Sequence, residues 1–171
     1  PPTLTAGISP APAASGWYNL ATGAPIVTFA ASDETSGLVG GVPAPVTLLE
    51  GAGQSASATV YDVAGNAATA GVSGINVDLT PPTLTAGISP APAASGWYNL
   101  ATGTPTVTFA ASDETSGLVG GVPAPVTLSE GANQSVSATV YDVAGNAATA
   151  ALSGINVDLT PPTLTAGIGP A

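Results

Sequence analysis

Lysine, arginine, histidine, cysteine and methionine are all absent from these 171 residues, and the ten charged side chains are all Asp or Glu, giving a net charge of −10. Each absence excludes a chemistry. Without a cationic side chain the chain cannot neutralise nucleic-acid phosphates, which argues against nucleic-acid binding. Without His, Cys or Lys it lacks the usual general bases, the thiolate nucleophile, the Schiff-base amine and every nitrogen or sulfur metal ligand. Disulfides and Lys–Asn isopeptide crosslinks are ruled out. No run approaches the ~18 uninterrupted apolar residues of a membrane span, and no basic n-region marks a signal peptide, so membrane insertion is not expected. Carboxylates and hydroxyls are what remain for chemistry, and the sequence reads as a structural module.

What is present is a repeat. Residues 1–80 recur as 81–160, and a third copy starts at Pro161 and runs to Ala171. The chain thus begins and ends within the pattern, like an excerpt from something longer. A period of 80 residues exceeds the roughly 20–50 of a solenoid unit and suits an independent small domain. The expected organisation is therefore two tandem domains, 1–80 and 81–160, with 161–171 as the first strand of a truncated third.

Within each copy apolar residues recur every second position. Leu4, Ala6 and Ile8 alternate with Thr3, Thr5 and Gly7. Val27 and Phe29 alternate with Thr28, Val46 and Leu48 with Thr47, and Ala68, Ala70 and Val72 with Thr69 and Ser73. Pro and Gly punctuate the gaps. Short alternating strands with closely spaced turn signals predict an all-β, antiparallel sandwich. The seven differences between copies fit two faces. Ala24/Thr104, Ile26/Thr106 and Leu49/Ser129 change polarity and are read as outward; Ala56/Val136 and Val72/Leu152 stay apolar and are read as inward. The Pro and Gly content offers disorder as the competing reading, which the alternation opposes.

Four stretches carry a resemblance. Gly16-Trp17-Tyr18-Asn19, then Ala31-Ser32-Asp33-Glu34-Thr35-Ser36-Gly37, then Asp62-Val63-Ala64-Gly65-Asn66, and the junction Val77-Asp78-Leu79-Thr80-Pro81-Pro82 resemble the bacterial immunoglobulin-like repeat domains found in tandem on large surface proteins and adhesins. The resemblance implies tandem immunoglobulin-like sandwiches in an extracellular stalk or spacer, secreted or at the cell surface, often rigidified by calcium at repeat junctions. This chain lacks the Lys-bearing strands of many such relatives.

The acids are the only candidates for a site: Asp33, Glu34, Glu50, Asp62 and Asp78, repeated as Asp113, Glu114, Glu130, Asp142 and Asp158. In a seven-stranded sandwich the loop with Asp33 and Glu34 and the last hairpin, with Asp62 and Asn66, both lie at the end where the linker enters. Asp78 is therefore expected to meet Asp113, Glu114 and Asp142 of the next copy, with Asn146 nearby. Carboxylates converging without a cation would repel. Calcium, which takes six to eight oxygens in irregular geometry, resolves this, with affinities of ~10⁻⁴–10⁻³ M in extracellular modules. The competing reading is turn chemistry: Asp33 and Asp62 as caps of their loops, with Gly65 or Asn66 at positive φ, and Asp78 as a solubilising linker residue. Glu50 and Glu130, each alone before a Gly, read as solvated. Asp33 and Glu34 could suggest a glycosidase acid pair, but adjacent side chains diverge, and an enzyme is not expected.

Trp17/Trp97 and Tyr18/Tyr98 read as plugs closing the sandwich or, alternatively, as a sugar-stacking platform. Tyr61 and Tyr141 fall on the outward parity. Asn133-Gln134-Ser135 matches a glycosylation acceptor, but Gly53 stands at that place in the first copy, so the match reads as chance. Thr80-Pro81-Pro82 favours an extended, stiff joint. The uncharged outer faces lack the Lys that discourages edge pairing, which raises a second hypothesis: a homo-oligomeric filament, sheath or surface layer, to which 161–171 could add a strand. A carbohydrate-binding module is the third. The expected function is a non-enzymatic spacer whose partners are its neighbouring repeats, stiffened by structural calcium.

Overall fold

The computed structural model describes residues 1–169, which are all-β, with no helix among them. Strands β1 (Thr3–Ser9), β2 (Trp17–Tyr18), β3 (Ile26–Ser32), β4 (Leu38–Val39), β5 (Val46–Thr47), β6 (Gly51–Asp62) and β7 (Ala67–Val77) recur as β8 (Thr83–Ser89), β9 (Trp97–Tyr98), β10 (Thr106–Ser112), β11 (Leu118–Val119), β12 (Val126–Thr127), β13 (Gly131–Asp142) and β14 (Ala147–Val157). Contacts divide the chain into two compact units. The first holds Pro1–Thr83 with Ser112–Gly121 and Val140–Ala148; the second holds Leu84–Ala111, Val122–Thr139 and the chain from Thr149 onward.

In the first unit a three-stranded sheet runs β1-β3-β5 and a four-stranded sheet runs β2-β7-β6-β4. Pairing is antiparallel except for β2, which lies parallel to β7 with Trp17 opposite Asn76. Tyr18, Val27, Phe29, Leu48 and Val77, drawn from both sheets, form one buried cluster, against which Leu4, Ala6, Ile8, Ala56, Val72 and Ile75 pack. The arrangement is sandwich-like. Each large side chain so removed from water contributes about 1.5–3 kcal/mol. The second repeat has the same strand orders, β12-β10-β8 and β11-β13-β14-β9. In the second unit the core is Tyr98, Val107, Leu128, Val136, Ile155 and Val157.

The expected parity is visible side chain by side chain. Leu48 is 4% exposed and its neighbour Leu49 75%, while Tyr61 and Tyr141 stand out at 52% and 54%. Val46, on the short edge strand β5, departs from it and is exposed, because two residues at a sheet edge have no opposite layer above them. Ala56 faces Val72 across β6 and β7; in the second copy this pair becomes Val136 and Leu152, both against the core. Gly53 and Asn133 both take positive φ, 67° and 54°, a conformation that Gly adopts freely and Asn tolerates. Residues 161–168 repeat residues 1–8, and Gly169 stands where Ser9 does, but 161–169 form no strand and lie exposed. Strand β1 is held by β3 along its whole length. Residues 170 and 171 of the expected strand lie outside the described residues.

Candidate metal centre

Register positions the acids. Thr3 lies opposite Ser32, so Asp33 follows directly beside the incoming chain. Strand β4 pairs Leu38 with Asp62, and Val63 N–H donates to the Gly37 carbonyl at 3.0 Å, which brings the Asp33 loop beside the β6–β7 turn. The second copy repeats this geometry: Thr83 Oγ1 donates to the Ser112 carbonyl at 3.0 Å, Leu118 pairs with Asp142, and Val143 N–H donates to the Gly117 carbonyl at 2.9 Å. All these residues belong to the first unit, as does Asp78.

Asp78, Asp113 and Asp142 each present a carboxylate oxygen within 4.8 Å of the others. Asp78 and Asp142 are buried, at 0% and 1% exposed. Thr80 N–H donates to Asp78 Oδ1 and Ser116 N–H to Asp78 Oδ2, both at 3.1 Å. That same Ser116 N–H also donates to Asp113 Oδ1 at 2.9 Å, joined by Gly117 N–H at 2.7 Å. Asp142 Oδ1 accepts from the Gly145 and Asn146 N–H groups at 2.7 and 2.8 Å. A group of three carboxylates this close could hold a metal ion, and nothing in the oxygen set selects one hard cation over another. Two ionised carboxylates ~5 Å apart repel by roughly 3 kcal/mol at an effective dielectric constant of ~20, and the chain offers no Lys, Arg or His to offset that.

Asn146 ties the cluster to the rest of the unit. Its Nδ2 donates to the Asp78 carbonyl at 2.9 Å and to Asp142 Oδ2 at 2.8 Å, and its Oδ1 accepts from Leu20 N–H at 2.8 Å. Asn19 Nδ2 and Ser15 Oγ donate to the Ala144 carbonyl at 2.9 and 3.1 Å. Asn146→Ala should cost about 1–3 kcal/mol in urea unfolding, since it leaves buried partners without their bonds. A change within experimental error would mean these bonds are replaceable by water.

The remaining candidates lie elsewhere. Glu114 is exposed and outside the trio, lining a cleft with Glu50, Thr80, Pro81 and Asp113. Glu34 is exposed beside Pro1, Thr3 and Asp33. Asp158 is exposed, with only the Thr160 N–H on its Oδ1 among the described residues. Asp33 and Asp62 make turn bonds: Asp33 Oδ1 accepts from the N–H groups of Thr35, Ser36 and Gly37, and Asp62 from the backbone and side chain of Asn66. Gly65, not Asn66, takes the positive φ, at 89°. The turn reading of these two acids therefore describes real bonds. A solubilising role for Asp78 does not survive its burial.

Sequence reasoning missed the bonds that Glu50 accepts from Leu79 and Thr80 and Glu130 from Leu159 and Thr160, and it missed Ser15, Asn19, Leu20 and Ser116. No pattern links Glu50 to residues 29 and 30 positions downstream. Trp17 is half-buried and Trp97 exposed at the sheet edge, whereas Tyr18 and Tyr98 fill the cores.

Hydrogen bonds also set the acid response. The Ser36 N–H, helped by the Gly37 and Thr35 N–H groups, holds Asp33 below its ordinary 3.8 against desolvation. The Asn66 side-chain amide, with its backbone N–H, holds Asp62 below 3.8, opposed by burial and by the Asp33 charge. The terminal ammonium of Pro1, 3.9 Å from Asp62 Oδ2, adds to the lowering. A lowered folded pKa contributes stability above the unfolded value of about 3.9 and loses it as pH falls through the folded one. Asn66→Ala should therefore narrow the stability difference between neutral pH and about pH 2, read by denaturant titration at both. An unchanged difference would remove Asp62 from the acid response.

No family model, curated protein or solved structure matches this chain.

Proposed function

We propose that this chain is a non-enzymatic spacer from a secreted or cell-surface bacterial protein, built of tandem immunoglobulin-like repeats joined by short Pro-rich linkers. In this reading a calcium ion held by Asp78, Asp113 and Asp142 fixes the linker against the loops 113–117 and 142–146. The observation that carries it is the meeting of these three carboxylates, two fully buried, in a chain without a single cationic side chain. Calcium is the ion adopted in this reading because it accepts six to eight oxygens in flexible geometry, water included. Tandem repetition, sandwich-like layers and the absence of nucleophile–base pairs support a mechanical role.

Calorimetric titration of the chelator-treated 171-residue chain tests the proposal. Heat with one calcium per chain, lost in Asp78→Ala, is expected; no heat at millimolar calcium would leave the trio as hydrogen-bonded turns. Lateral assembly is the second reading, favoured by the apolar side chains Ile26, Val39 and Val46 exposed in the first unit. Sedimentation that changes with protein concentration would support it.

A further inference from the structure

Glu50 accepts two hydrogen bonds from the linker. Its Oε1 accepts from Leu79 N–H at 2.8 Å and from Thr80 Oγ1 at 2.7 Å. Asp78 N–H donates to the Tyr18 carbonyl at 2.8 Å, and Thr80 N–H folds back to Asp78 Oδ1. Residues 78–80 are thus tied at every backbone N–H to the body of the first repeat or to one another.

The second copy is an internal control. Glu130 Oε1 accepts from Leu159 N–H at 2.7 Å and Thr160 Oγ1 at 2.8 Å, and Asp158 N–H donates to the Tyr98 carbonyl at 2.9 Å. Yet Asp158 is exposed and belongs to no carboxylate cluster among the described residues. The linker conformation is the same whether or not other acids gather around its Asp. Its own repeat sets it.

We infer that Glu50 is a positioning residue: its carboxylate presets Leu79 and Thr80 so that Asp78 is aimed at the Asp113 and Asp142 loops before any cation arrives. The inference rests on the cation reading above for its consequence, but not for its geometry. Glu50 works through two accepted hydrogen bonds, so Gln, which keeps the acceptor oxygen and loses the charge, should substitute for it. Ala should not. Glu114 lines the same cleft without a hydrogen bond to residues 78–80 among the described residues, and so reports the effect of charge alone.

The experiment uses the full chain and calcium as probe, with Glu50→Ala, Glu50→Gln and Glu114→Ala. Calcium affinity should fall about tenfold in Glu50→Ala, the loss typical of removing a group that orients a ligand. The other two variants should lose clearly less than that. Equal losses in all three would reduce Glu50 to a surface charge and overturn the inference, as would an unchanged Glu50→Ala. Amide exchange in chelator gives a readout independent of calcium. In Glu50→Ala the Leu79 N–H, which donates to Glu50, should lose protection while β6 and β7 keep theirs. If the parent takes no calcium, the proposed function fails while this exchange result still decides the clamp. Unchanged protection of the Leu79 N–H would overturn it.

Discussion

Calcium at about 10 mM should stabilise this chain by about 1.4–2.7 kcal/mol if its Kd lies in the ~10⁻⁴–10⁻³ M range of extracellular sites. Asp78→Ala should abolish the gain, and Asp158→Ala should leave it intact. The pair is informative because the two residues share their sequence surroundings, Val-Asp-Leu-Thr-Pro-Pro, and their own-repeat hydrogen bonds. They differ in what gathers around them: Asp78 is enclosed with Asp113 and Asp142, and Asp158 faces solvent. Thermal unfolding with and without chelator measures both. Equal loss in the two variants would point to diffuse binding by a chain of net charge −10. Raised salt would then erase the effect, since exposed charges are screened beyond about 10 Å at 0.1 M.

The second large effect concerns the layers. Phe29→Ala should cost about 3–5 kcal/mol, because it removes a ring from the cluster shared by both sheets of the first repeat. Tyr61→Ala removes an aromatic side chain of similar size from the outer face and should cost no more than about 0.5 kcal/mol. Both are read from urea midpoints at unchanged slope. A costly Tyr61→Ala would mean that the outer face is covered, as the lateral-assembly reading requires.

Period-two alternation made the layers legible in the sequence, because the pleat of a strand commits every second side chain to one face. Leu48 beside Leu49 shows how sharply parity decides burial when composition cannot. The meeting of Asp78 with Asp113 and Asp142 was also legible, since strand direction alone puts those loops at the linker end. Glu114 was grouped with them by adjacency to Asp113, but successive residues point apart, and it lies outside the trio. Four further features needed coordinates. The parallel pairing of β2 with β7 rests on two residues, too few for a periodic signal. Glu50 reaches across 29 residues to Leu79. Asn19 reaches across 125 to Ala144. Val46 is apolar and on the inward parity yet exposed, because burial needs a second layer as well as a face.

The most direct measurement is a crystal structure of the chain grown from calcium. The expected result is a peak enclosed by Asp78, Asp113 and Asp142, with oxygen distances of about 2.3–2.6 Å and water completing six to eight ligands. A water molecule there, or carboxylates that have moved apart, would contradict a cation-fixed linker.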